Sequence, residues 1–316
     1  MPSKIYVSEI KENDKVESYL LVKDKNIAMA KNGKPYINVK LMDKSGEIEG
    51  RVWDNAEEIA RQFEKNDIVV IKGRGALYQG KIQLSLIDVR KAPEGVASAG
   101  DFLPRSERDP DEMLSELKGI ISGIKEQHLK RLMDSFMDDK SFVEMFKAAP
   151  AAKGMHHVYI GGLLEHTLSV AHLVVELSRH YGSVNKDILL TGSILHDMGK
   201  TRELSYRAAF DYTDEGRLLG HIIIGIRMLD EKIEGIEGFP EKTALLLRHM
   251  IASHHGELEF GSPKRPKTLE ALLLHHIEDM DAKANAYQIA VAKETNEETN
   301  WTPYQKMFER YLYKGE

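Results

Sequence analysis

The chain has no cysteine among its 316 residues. Disulfides and thiolate metal sites are therefore excluded, and a reducing compartment is the natural setting. Long apolar runs are missing too. None approaches the ~18 residues of a membrane span, and the opening MPSKIYVSEI has no apolar segment of the secretory kind. The expectation is a cytoplasmic protein with no membrane partner. Positive charge is not in excess either: the formal net charge is -6, so a nucleic acid would be attracted only at a local patch. What remains, 42% hydrophobic and 30% charged residues, describes a soluble globular chain. Its length predicts two domains.

The pattern changes near Pro93. Up to that point five strand-like runs follow one another: YLLVKDKNIA, PYINVKLMD, GEIEGRVWD, DIVVIKGRGALY and KIQLSLIDVRK. Turn pieces such as Asn32-Gly33-Lys34-Pro35 and Lys44-Ser45-Gly46 separate them. A helical segment, Asn55 to Lys65, sits between the third and fourth runs. Five strands with a helix in that place fit the small Greek-key barrel called the OB-fold. Residues 93–112, rich in Pro, Gly, Ser and charge, read as a linker. Beyond them the periodicity is helical. The predicted architecture is a multidomain α and β protein: a barrel over 1–92, a linker over 93–112 and an all-α domain over 113–316.

Barrels of this kind commonly hold single-stranded nucleic acid on aromatic platforms within a basic groove. Tyr36, Trp53 and Tyr78 lie on successive strands, with Lys34, Lys40, Arg51, Lys72, Arg74 and Lys81 close by. Residues 1–95 hold 17 Lys and Arg against 15 Asp and Glu, so this part is mildly positive in a negative chain. The competing reading is that the rings fill the barrel core and the lysines are ordinary solvated surface.

Histidine is where the chain is rich. Twelve of its 13 histidines fall between His156 and His276. They come in a set order: His166, the doublet His196-Asp197, His221, the pair His254-His255, then the carboxylates Glu278, Asp279 and Asp281. Imidazole and carboxylate without thiolate suit Mn, Fe, Co, Ni or Zn, and a two-metal hydrolytic centre is the sharp reading. His166 shares a helical stripe with Val170, Leu173, Val174 and Leu177. A single histidine on an apolar face is more often a hydrogen-bonded core residue, but the doublet and the later histidines reverse that weighting. His196 and Asp197 close a helix beginning near Asn185, with Gly199 as its expected stop. His254 and His255 end a helix that starts after Pro240, with Gly256 as its stop. Lys200 complements a helix dipole in the plain reading. Lys264, Arg265 and Lys267 stand in a proline-held loop between the histidine pair and the last carboxylates. That loop is expected to overhang the metal centre and to suit a phosphodiester chain.

The segments GGLLEHTLSV, ILHDMGK, LLGHIII, ASHHGELEFGSPKRPKT and IEDMDAK resemble the HD superfamily of metal-dependent phosphohydrolases in its longer, two-metal form. The resemblance implies His166, His196, Asp197, His221, His254 and His255 as ligands, with Asp197 bridging. It also implies a catalytic place for Asp197 and for Lys200 as a cation beside the phosphate. The family's final Asp register falls on Glu278, one helical turn before Asp281. Glu278 is the first choice for the last ligand, and Asp279 and Asp281 stay open.

Barrel, linker and helical core together resemble the YhaM-type 3′→5′ exoribonucleases of bacteria over nearly the full length. That resemblance implies two divalent ions per chain, Mn foremost with Fe, Co, Ni, Mg or Zn as alternatives. The implied reaction is removal of nucleotides from the 3′ end of single-stranded RNA, with DNA as a second substrate. Lys264, Arg265, Lys267, Tyr36, Trp53 and Tyr78 are then the expected substrate contacts. Two rival functions are an HD-type nucleotide or cyclic-dinucleotide phosphohydrolase and a non-catalytic single-stranded DNA-binding factor.

Overall fold

The structure is a computed structural model and describes residues 5–30, 33–93, 102–153, 158–206, 210–292, 294 and 299–315. The chain divides into two compact units, Met1–Arg105 with Tyr206–Phe210, and Ser106–Ser205 with Asp211–Glu316.

In the first unit, strands β1 (Lys15–Met29), β2 (Pro35–Asp43), β3 (Gly46–Val52), β4 (Ile68–Tyr78) and β5 (Lys81–Lys91) close into a barrel of order β1-β2-β3-β5-β4. Only the β3–β5 pairing is parallel. Alternation along the strands sends Leu20, Val22, Ile37, Val39, Leu41, Val52, Val69, Ile71, Leu84 and Val89 into one buried core. Helix α1 (Ala56–Ala60) contributes Ala56, Ile59 and Ala60 to it. The helix is shorter than the expected 55–65. Lys25 Nζ donates to the carbonyls of Ala60 at 2.7 Å and Phe63 at 2.6 Å, occupying acceptors that a longer helix would give to its own amides.

The second unit holds α2 (Pro110–Ile121), α3 (Gln127–Met137), α4 (Lys140–Ala148), α5 (Gly162–His180), α6 (Lys186–Leu195), α7 (Lys200–Glu203), α8 (Asp214–Glu234), α9 (Glu241–Ser253) and α10 (Leu269–Ala292). Residues 94–101 of the expected linker lie outside the described residues. Beyond them Phe102 and Leu103 are buried, and the Asp109 side chain accepts from the amides of Asp111 and Glu112 to cap α2. α6 is the centre of the bundle. Every residue from Leu189 to Leu195 is buried, and the helix packs on α5, α9 and α10. A helix apolar all round belongs inside, and this one delivers the His-Asp doublet to the interior. The helical reading of everything past residue 112 missed a small ribbon, β6 (Leu204–Ser205) against β7 (Asp211–Tyr212). Two-residue strands are too short to show a period.

Candidate metal centre and nucleic-acid surface

α6 ends at Leu195, and His196 follows in helical conformation as its C-cap. Gly199 is no left-handed stop: its φ is -61°. It is glycine for another reason, since a Cβ there would sit 2.0 Å from the carbonyl oxygen of His221. α8 therefore approaches the doublet backbone to backbone. Within α8 the helix breaks at Gly220, at φ 73° and ψ 158°, a conformation open to glycine. The break presents both the amide and the ring of His221 to Glu203, whose Oε1 accepts from them at 2.9 and 3.1 Å. After α9, His254 and His255 precede Gly256, whose φ is +78° as expected of a helix stop.

Four imidazoles converge on one carboxylate. Nε2 of His166 and of His196 lie 3.8 and 3.4 Å from Oδ2 of Asp197. Nε2 of His221 and of His254 lie 3.6 and 3.5 Å from its Oδ1. These separations exceed good hydrogen bonds and suit atoms that share an ion at ~2.0–2.2 Å each. His255 joins His221 and His254 in a second group of candidate ligand atoms, beside the group of His166, His196 and Asp197.

The opposite ring nitrogens fix the tautomer. Nδ1 of His196 faces the Ser193 carbonyl at 2.6 Å, and Nδ1 of His254 faces the Ile251 carbonyl at 2.8 Å. A carbonyl only accepts, so Nδ1 carries the proton and Nε2 presents its lone pair inward. Carboxylates play the same part for His166, through Asp281 Oδ2 at 2.7 Å, and for His221, through Glu203. Nε2 of His196, His221 and His254 and Oδ1 of Asp197 are buried with no hydrogen-bond partner. Buried polar atoms are seldom left so. The donor set fits a divalent cation.

Electrostatics agree with this arrangement. Burial opposes charge on Asp197, but the Lys200 ammonium is the foremost of the groups that outweigh it and hold the carboxyl well below its usual range. Lys200 is buried, donates to Asp197 Oδ2 at 2.6 Å and is raised by that carboxylate despite desolvation. Desolvation pushes His254 well below the ordinary imidazole value, so it is neutral and able to ligate. Glu278 is raised by burial and by Asp197, and it also feels His166, His196 and Lys200. Asp279 instead turns to Lys283 at 2.7 Å on the outer face of α10. Asp281 is engaged by His166 and by the hydroxyl of Ser169. Of the three carboxylates left open by the sequence, Glu278 is thus the one whose charge is coupled to the cluster without serving another imidazole.

Sequence reasoning missed Glu203 and Ser169, because no spacing rule marks a residue that orients a ligand. His172 and His128 pair with Glu116 and Glu126 at the surface, and His249 accepts from the Lys267 amide at 2.9 Å. The basic loop is fastened to α9 by that bond and by Ser262 Oγ donating to the Ala252 carbonyl. Lys264, Arg265 and Lys267 are exposed, with Arg265 paired to Glu257 at 2.9 Å.

On the barrel, Tyr36 and Trp53 stack with ring centroids 4.7 Å apart. The Arg51 guanidinium lies between Trp53 and Tyr78, 5.9 and 4.9 Å from their centroids. Trp53 and Tyr78 are exposed and outside the barrel core. Asn38, opposite Arg51 in the β2–β3 register, has a buried Oδ1 without a partner, as does the Nε of Arg51. The barrel surface is less basic than the residue count suggests, since Lys40 is tied to Glu47 and Lys72 to Glu17. No helix among the described residues is long and apolar enough to cross a membrane.

Residues 163–283 match the HD domain family, and residues 21–92 match the OB-fold nucleic acid binding domain family. Two solved structures overlap the chain at low similarity. The second OB-fold domain of replication protein A from Methanococcus maripaludis is 18% identical, covering 30% of this chain and all of that one at a TM-score of 0.25. Asparaginyl-tRNA synthetase of Entamoeba histolytica is 15% identical, covering 43% of this chain and 34% of that one at 0.24. Among curated proteins, the 3′-5′ exoribonuclease YhaM of Geobacillus sp. strain WCH70 is 37% identical over 281 residues, 89% of this chain and 86% of the relative. With that identity over both domains, the chain belongs to the YhaM 3′-5′ exoribonuclease family, pairing an OB-fold barrel with an HD-type metal-dependent phosphohydrolase domain.

Proposed function

We propose that this protein is a metal-dependent 3′→5′ exonuclease that releases nucleotides from single-stranded RNA, and in second place from DNA. The observation that carries the proposal is the convergence of four imidazole Nε2 atoms on the two oxygens of Asp197. One ion would be held by His166, His196, Asp197 and Glu278, and a second by His221, His254 and His255 together with Asp197. Mn is the first choice for both. Divalent ions held there supply Lewis acidity at the phosphate and an activated water near neutral pH.

The chain's own groups do the rest. Lys200 holds Asp197 ionised and places a cation beside the position of the scissile phosphate. The carbonyls and carboxylates behind the four histidines accept from Nδ1 and so turn Nε2 toward Asp197. Tyr36, Trp53 and Tyr78 give faces on which unpaired bases stack, and Lys264, Arg265 and Lys267 neutralise phosphates of the strand. The division of labour follows the barrel of 1–92, the linker of 93–112 and the helical domain of 113–316. The 3′→5′ polarity is taken from the named activity of the relative.

The test is a 5′-labelled single-stranded RNA incubated with purified protein and Mn. A ladder shortening by single nucleotides is expected, with arrest at duplex regions. Rapid cutting of a circular RNA would show endonuclease action instead. Turnover confined to free nucleotides or cyclic dinucleotides would make the protein a small-molecule phosphohydrolase.

A further inference from the structure

Downstream of α10 the chain returns in a short antiparallel hairpin, with Trp301 bridged to Tyr313 and Gln305 to Arg310. Its alternation places Thr302 and Leu312 inside and sends rings outward. Trp301 and Tyr313 meet with centroids 5.3 Å apart, and Tyr304 and Tyr311 at 5.5 Å. All four are 46–60% exposed, which is unusual for large rings that the fold could have buried. The same segment carries Lys306, Arg310 and Lys314 against a single acid, Glu309. It is locally positive in a chain whose net charge is -6.

The hairpin is also fixed to the catalytic unit. Tyr287 of α10 donates its hydroxyl to the Tyr313 carbonyl at 2.9 Å, and its ring meets Phe308 edge-on at 6.0 Å. Tyr287 is nine residues along α10 from Glu278, or ~13 Å at 1.5 Å per residue. Paired exposed rings among cations, held on the helix that carries a candidate metal ligand, form a stacking platform for unpaired bases.

We propose that residues 299–315 form a second binding site for single-stranded nucleic acid, separate from the barrel, with Trp301, Tyr304, Tyr311 and Tyr313 stacking bases and Lys306 and Arg310 meeting phosphates. The site deepens the exonuclease reading and rests on it for its purpose, though not for its existence. A second copy of the chain is a poorer occupant. Self-pairing of this face would set Lys306 and Arg310 against the same cations of the other copy, with Glu309 the one acid within residues 299–315.

The chain has two tryptophans, Trp53 and Trp301, so full-length Trp53→Phe protein reports on the hairpin alone. Its tryptophan emission is expected to be quenched on titration with poly(U), saturably and less steeply as salt rises. Replacing Tyr304 and Tyr311 by Ala in the full chain should weaken binding of a short oligo(U) by about 5- to 150-fold per lost stack, with the thermal midpoint and bound Mn unchanged. Emission unmoved by RNA that the protein demonstrably binds overturns the proposal. So does a double variant that keeps its affinity, or one that changes only the sedimenting mass, which would mark an interface between copies. Quenching in a protein that never shortens RNA leaves this site standing and removes the exonuclease reading.

Discussion

Asp281 Oδ2 accepts a hydrogen bond from Nδ1 of His166 at 2.7 Å, joining residues 115 positions apart in sequence. The bond sets which nitrogen of His166 faces Asp197. Asp281→Ala should therefore weaken binding at the site shared by His166 and Asp197 by about 10- to 100-fold. Asp281→Asn retains an accepting oxygen and should recover part of the loss. Mn titration calorimetry on both variants decides the point, and equal affinities for wild type and Asp281→Ala would refute it.

Removing Asp197 does two separable things. Asp197→Ala deletes the shared ligand, and it leaves the Lys200 ammonium buried without its carboxylate at 2.6 Å. Loss of Lewis-acid help should lower hydrolysis by about 10³-fold or more, and the stranded charge should cost about 3–5 kcal/mol. Asp197→Ala with Lys200→Met should regain most of the stability and none of the activity. Denaturant midpoints beside RNA hydrolysis rates measure both effects.

Glu278 supplies a pH dependence with a definite sign. Its carboxyl is raised in the metal-free fold, by burial first and Asp197 second. A raised carboxyl favours folding below its unfolded value near 4.3, and that contribution is lost as pH rises through the folded value. At neutral pH the metal-free Glu278→Gln variant should thus melt a few degrees above wild type, and the gap should close as pH falls toward 4. The same variant should bind Mn more weakly. A melting gap that widens on acidification would contradict the assignment.

Gly199→Ala puts a Cβ where the His221 carbonyl stands 2.0 Å away. The obstacle is backbone and cannot rotate aside, so α8 must shift. A destabilisation of about 1–3 kcal/mol is expected, together with weaker metal binding through His221. Chemical denaturation and metal titration of this single variant test both.

Changing Lys264, Arg265 and Lys267 together to Gln should weaken RNA binding uniformly across sequences. The slope of log affinity against log salt should flatten by up to about 3, one unit per lost phosphate contact. An unchanged slope would show that the exposed loop does not touch the strand.

The sequence alone determined a good part of this. Alternation and turn residues marked the five strands, because a strand's period of two is written locally in residues such as Ile37, Val39 and Leu41. The ordered histidines and the His196-Asp197 doublet pointed to a metal centre, since few chemistries other than ligation need so many imidazoles beside a carboxylate. Spacing along a chain carries no information about which groups meet across it. Only the tertiary structure decided that Gly199 serves close approach rather than a helix stop, and that Gly220 breaks α8 to turn His221 inward. It also set Asp281 and Glu203 behind imidazoles and turned Asp279 to Lys283. The aromatic hairpin after residue 298 was equally silent in the sequence, because exposure depends on what packs above a residue, and no periodicity records that.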